Sequence, residues 1–108
     1  MESPIETRQP FRLGSKIEIE PGKIIRRELV KNDYGAIILL AFDKDMAIDE
    51  HAVPFDVMVQ VVEGAVEFSV EGQPHYLSKI DSIILPAMTV HAVKAVEPAK
   101  IMLTRIKA

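Results

Sequence analysis

Residues Asp49–Val70, "DEHAVPFDVMVQVVEGAVEFSV", decide the reading of the fold. A polar turn carrying His51 leads through Pro54 into an apolar run, which stops at Gly64 and resumes as a regular alternation. In "AVEFSVEG", Val66, Phe68 and Val70 share one face, and Glu67, Ser69 and Glu71 share the other. A period of two marks a strand with one side on a core and one side in water. "VMVQVVEG" is apolar on both parities and rich in β-branched residues, so it predicts a strand covered on both faces, with Val57, Val59 and Val61 in one row. Gly64 and Gly72 fall where tight turns between such strands call for a positive φ.

The same period extends outward from this stretch. "GAIILLAF" (35–42) predicts a second doubly covered strand. "KIEIE" (16–20) alternates with Ile17 and Ile19 on one face and predicts an edge strand. "IIRRELVK" (24–31) is the densest basic cluster; it alternates with apolar residues and predicts an exposed strand face. "PHYL", "SIILP", "VHAVKAV" and "AKIMLTRI" complete the set. Turn signals recur roughly every 8 to 12 residues and no segment has a helical period, which predicts an all-β sandwich or barrel. The 108 residues suit a single domain over 1–108, with the polar, Pro-containing residues 1–14 as an N-terminal arm.

Composition removes several classes of function. The chain has no cysteine, which excludes disulfides, thiolate catalysis and Cys-ligated zinc. A net charge of -3 with scattered basic residues argues against a nucleic-acid partner, because phosphate binding draws on clustered Lys and Arg. The first residues lack the basic and apolar regions of a signal peptide. No apolar run approaches the ~18 residues of a membrane-spanning helix. The sequence therefore predicts a cytoplasmic protein with neither a nucleic-acid nor a membrane partner. Gly-rich phosphate loops, nucleophile elbows and calcium loops are absent as motifs.

On two stretches the chain resembles the small single-domain cupins of the conserved-barrel, RmlC-like type. "HAVPFDVMVQVVEG" lies on the first cupin motif and "IDSIILPAMTVH" on the second, within a resemblance that covers about residues 23–106. The resemblance implies a double-stranded β-helix, the jelly-roll barrel. It also puts His51 on the first metal-ligand position of the family and His91 on the last. Val53 then occupies the second histidine position and Val57 the acid position, so two of the four family ligands are apolar. Ile80 and Met88 stand where the second motif has glycines.

What the resemblance implies for function is a barrel that binds a small molecule. A divalent transition metal (Zn, Fe, Ni, Mn or Cu) held by His51 and His91 is one form of that reading. A ligand-binding, sensing or structural module without metal is the other, and whether the protein is an enzyme stays open between them. Neutral imidazole suits these metals, but a tight site takes three protein ligands or more. Asp56, Gln60 and Glu50 are the nearest oxygen donors in sequence. Strand parity turns Gln60 away from the row of Val57, while Asp56, two residues after Pro54, serves either a ligand or the turn. Val53, Val57 and Met88, with Phe42 and Phe55, are expected to line the pocket; Asp56, Gln60 and Met88 are the candidate ligand contacts. Met58 and Met102 read as core filler, and His75 as a packed histidine bonded to backbone. A twofold homodimer is expected, with a partner strand covering the "KIEIE" edge and burying Phe11, Ile17 and Ile19.

Overall fold

The computed structural model describes residues 5–108. Nine strands follow one another: β1 (Ile24–Asn32), β2 (Gly35–Phe42), β3 (Ala47–His51), β4 (Phe55–Glu63), β5 (Ala65–Val70), β6 (Gln73–Ser78), β7 (Ser82–Leu85), β8 (His91–Ala95) and β9 (Ala99–Lys107). The described residues contain no α-helix, only a 3-10 turn over Leu13–Lys16. Among them no helix is long and apolar enough to cross a membrane.

The strands form two antiparallel sheets in a jelly-roll arrangement. One has five strands in the order β1-β2-β9-β4-β7; the other has four in the order β3-β8-β5-β6. The inner rows of both sheets make the core. Val57, Val59 and Val61 of β4 meet Val66 and Phe68 of β5, and Ile38, Leu40 and Phe42 of β2 complete it. The row of Val57, Val59 and Val61 and the alternation read in "AVEFSV" are thus the inner rows of the facing sheets. β4 is not covered on both faces, however, because Met58 on its outer row is 36% exposed.

The turns follow from backbone chemistry. Gly64, between β4 and β5, has φ +75, and a Cβ there would collide with the Pro98 carbonyl. β5 and β6 are joined by two residues, Glu71 (φ 50) and Gly72 (φ 81), both left-handed as the right-handed strand twist favours in a two-residue hairpin. Ile80 (φ 81) and Met88 (φ 66) are left-handed too. Both positions keep the backbone that glycine adopts without strain, although neither is glycine.

"KIEIE" is not a strand. Lys16 closes the 3-10 turn and residues 17–20 have no ladder partner. Ile17 is 1% exposed and packs on the outer face of β2 with Leu39 and Ala41, while Ile19 is partly buried beside them. Lys100 donates to the Gly14 carbonyl (2.6 Å) and Arg27 to the Lys16 carbonyl (2.8 Å), pinning this segment. That contact explains why β2 is apolar on both faces. It also removes the open edge on which the expected dimer was drawn, since Ile17 is already covered within its own chain. Of the predicted arm over 1–14, residues 1–4 lie outside the described residues; residues 5–12 have no regular secondary structure, and Phe11 is 46% exposed.

Candidate functional site

His51 ends β3 and His91 begins β8, and the antiparallel register sets them directly opposite one another. How His51 comes to face inward is a matter of one extra residue. Ile48 pairs with Val93, and both line the inner cavity. A regular strand would turn residue 50 inward next. The register shifts between Ile48 and His51, so that three residues on β3 span two on β8. This bulge moves the inward slot from Glu50 to His51.

The two rings have centroids 4.3 Å apart, tilted by 56°. His91 is buried (8% exposed) and stacks on Phe68 at 5.6 Å with 8° between planes; His51 lies at the exposed mouth. Their hydrogen bonds match. His51 Nδ1 lies 3.0 Å from the Asp49 carbonyl and His91 Nδ1 lies 2.8 Å from the Thr89 carbonyl. A carbonyl only accepts, so in the neutral ring Nδ1 carries the proton and Nε2 carries the lone pair. Every fully buried side-chain nitrogen and oxygen among the described residues has a partner. The Nε2 of His91 has none among these bonds, so it is not fully buried.

Both rings border a cavity of about 240 Å³ between the sheets. Its wall is largely aliphatic: Ile48 and Val93 from the four-stranded sheet, and Val57, Val59, Ile101 and Leu103 from the other. Val53 and Val57, on the positions of the missing family ligands, line it beside the histidines. So do two residues not anticipated as site residues, Arg26 and Arg105. Arg105 had a legible signal: Ala99, Ile101, Leu103 and Arg105 are alternate residues of β9, and the first three face the core or cavity. Arg26 is exposed, as the strand-face reading of "IIRRELVK" expects, and it borders the cavity as well. It pairs with inward-facing Leu40, and its guanidinium meets Glu28 at 3.3 Å.

Other expectations do not reach the cavity. Met88 is 63% exposed and is not part of the lining. Its left-handed backbone directs the turn before β8, and its N–H donates to the Val53 carbonyl at 2.8 Å. Asp56 is exposed, and its carboxylate accepts the Ala87 N–H at 2.9 Å, so it fastens the loop after β7. Gln60 is on the outward parity of β4, as its position in the run implied. Phe42 is wholly buried in the core, and Phe55 lies under Arg105 with 4.7 Å between guanidinium and ring centroid. Glu50 points away with the outer face of β3. His75 is exposed on β6 rather than packed.

The donor set tests the metal that the fold family implies. Imidazoles sharing a metal through nitrogens about 2.1 Å from it need ring centres within about 5 Å, which the pair meets. The number of donors does not reach a tight site. Among the described residues no three His, Asp or Glu side chains come together as a metal site, and the charged neighbours are arginines, which repel a cation. The pair suits a weakly held divalent ion.

Solved structures place the fold. No protein-family model matches the chain, and no curated protein does. A cupin superfamily protein from Desulfitobacterium hafniense superposes with a TM-score of 0.91 at 19% identity, over 100% of this chain and 99% of that one. A conserved protein of unknown function from Streptococcus pyogenes gives 0.90 at 27%, over 99% and 94%. A cupin 2 conserved barrel domain protein from Leptotrichia buccalis gives 0.86 at 33%, over 90% of this chain but only 47% of that one, about half its length. The chain has the cupin fold, the jelly-roll barrel that conserved-barrel and RmlC-like cupins share.

Proposed function

We propose that this single-domain cupin binds a small molecule in its barrel cavity, in the cytoplasm, with His51 and His91 as paired polar contacts. One observation carries the reading. Two histidines on facing strands, each with Nδ1 tied to a carbonyl two residues back, border one apolar cavity. An apolar enclosure with few convergent polar groups is the usual make-up of a small-molecule site. The carbonyl bonds fix both tautomers, so each ring offers an acceptor rather than a donor. The aliphatic walls exclude water and strengthen any hydrogen bond made there.

A divalent transition metal between the two Nε2 atoms is one form of this reading, and it would supply a Lewis-acid centre. The other form is a binding or sensing module without metal. The donor count favours the second, because two imidazoles and two arginines border the cavity and no carboxylate of the described residues does. Elemental analysis of protein purified without a metal-affinity tag, beside a His51→Ala, His91→Ala double variant, separates them. Equal metal in both proteins removes the metal form. Thermal shifts of metal-free protein against a small-molecule panel test the reading itself; a panel without any hit would contradict it.

A further inference from the structure

The charges around the cavity do not balance. Arg26 and Arg105 border it, and no Asp or Glu of the described residues does. Arg26 has a counter-ion, since Glu28 sits 3.3 Å from its guanidinium and Lys31 approaches the same carboxylate at 3.9 Å. Arg105 has neither a salt bridge nor a side-chain hydrogen bond among the described residues; its one contact of this kind is the face of Phe55. It is half-buried. A guanidinium over an aromatic ring spends no N–H on an acceptor there, and its paired N–H groups can bind a carboxylate in a fork. A half-buried guanidinium without an acceptor pays for its lost hydration until one arrives.

The remaining wall narrows the choice. The histidine Nε2 atoms accept and cannot donate while the rings are neutral, so they suit a hydroxyl or an N–H and repel a carboxylate oxygen. Val53, Val57 and Leu103 suit an aliphatic body. A cavity of about 240 Å³ holds the volume of about eight waters at ~30 Å³ each, less than a drug-sized ligand needs.

We propose that the ligand is a small aliphatic carboxylate bearing a hydroxyl or amine group, its carboxylate on the paired N–H groups of Arg105 and its donor on the Nε2 atoms of His51 and His91. This rests on the small-molecule reading above and specifies the ligand class. Arg105 is the specificity-determining residue, selecting the anion over its neutral counterpart.

Isothermal titration of metal-free, full-length protein tests it. The probes are 2-hydroxy carboxylates of four to six carbons, each compared with its own amide. The acid should bind wild type about tenfold or more tighter than its amide, the loss expected when a charge-assisted pair is removed. Arg105→Gln should bring acid and amide to within about twofold of one another, and a cooperative thermal transition like that of wild type shows that the variant folds. His51→Ala should weaken both and keep the preference for acid. Equal binding of acid and amide to wild type overturns the carboxylate proposal and leaves the small-molecule reading standing. Binding of neither, across the whole series, overturns the carboxylate proposal as well, and the small-molecule reading then stands or falls with the thermal-shift panel.

Discussion

Replacing Val53 by His and Val57 by Glu tests whether these valines occupy vacated ligand positions. Both side chains line the cavity that His51 and His91 border, so the new donors join the pair directly. Val57 is 8% exposed, so the Val57→Glu change buries a carboxyl. Left without a full set of partners, that group costs about 1–3 kcal/mol in the apo protein. Arg105 is the cross-strand neighbour of position 57 and lowers this cost by offering a counter-charge. A divalent metal then finds four side-chain donors in place of two. At a concentration a hundredfold above its Kd, a metal stabilises by about 2.7 kcal/mol. At a concentration near the Kd, as expected for the two-histidine pair, it stabilises by about 0.4 kcal/mol. For a domain of this size 1 kcal/mol is roughly 4–8 °C in Tm, so the variant should gain about 10–20 °C with zinc and wild type about 2–3 °C. Differential scanning calorimetry with and without zinc reads both. Equal shifts, or none in either protein, would show that the valines are ordinary core.

Other perturbations follow from the same structure. Ile80→Gly should stabilise the protein by about 1 kcal/mol: Ile80 is 71% exposed at φ 81, so relief of about 1–2 kcal/mol of left-handed strain exceeds the ~0.5–1 kcal/mol entropic cost of glycine. Urea unfolding should show a higher midpoint with an unchanged slope, and a lower midpoint contradicts the strain. The Gly22 N–H (2.7 Å) and the Lys44 N–H (2.8 Å) hold the Asp43 carboxyl below the ordinary aspartate value. A depressed carboxyl stabilises above its unfolded value and loses that contribution as pH falls through the folded one, so wild type should weaken below about pH 4 and Asp43→Asn should show a flatter acid limb. A homodimer is expected to close over the outer face of the five-stranded sheet, where Ile84 (70% exposed) pairs with Met58 (36% exposed), rather than over the N-terminal segment. Light scattering at tens of micromolar should give twice the monomer mass, reduced to one by Ile84→Lys, and a monomeric wild type counts against it.

The fold was legible wherever side-chain period and turn chemistry agreed. Val57, Val59 and Val61, then Gly64, then Val66, Phe68 and Val70, are two facing inner rows and the turn between them, and each follows from its neighbours. "KIEIE" misled because alternation reports only which face is covered. Ile17 is covered by packing on β2, with no ladder partner, and the pattern is silent about the difference. The histidine pair was legible only through family resemblance, since parity alone turns residue 50 inward and the bulge after Ile48 is a tertiary feature. Met88 was drawn to the cavity by motif position, yet its left-handed backbone carries the side chain into solvent. Arg105 could have been found by extending the alternation of "AKIMLTRI" to its charged member; a cation on a buried parity reads as an interruption until the cavity it borders is seen.

The central claim is that His51 and His91 form one site whose free atoms are their Nε2 nitrogens. Long-range proton–nitrogen spectra of histidine-labelled, metal-free protein test it most directly. In the neutral form both rings should appear as the Nδ1–H tautomer. On titration with zinc or with a bound 2-hydroxy carboxylate, their Nε2 resonances should move together along one binding curve, while those of exposed His75 stay in place. An Nε2–H tautomer at either ring, or His51 and His91 responding on separate curves, would contradict the shared site.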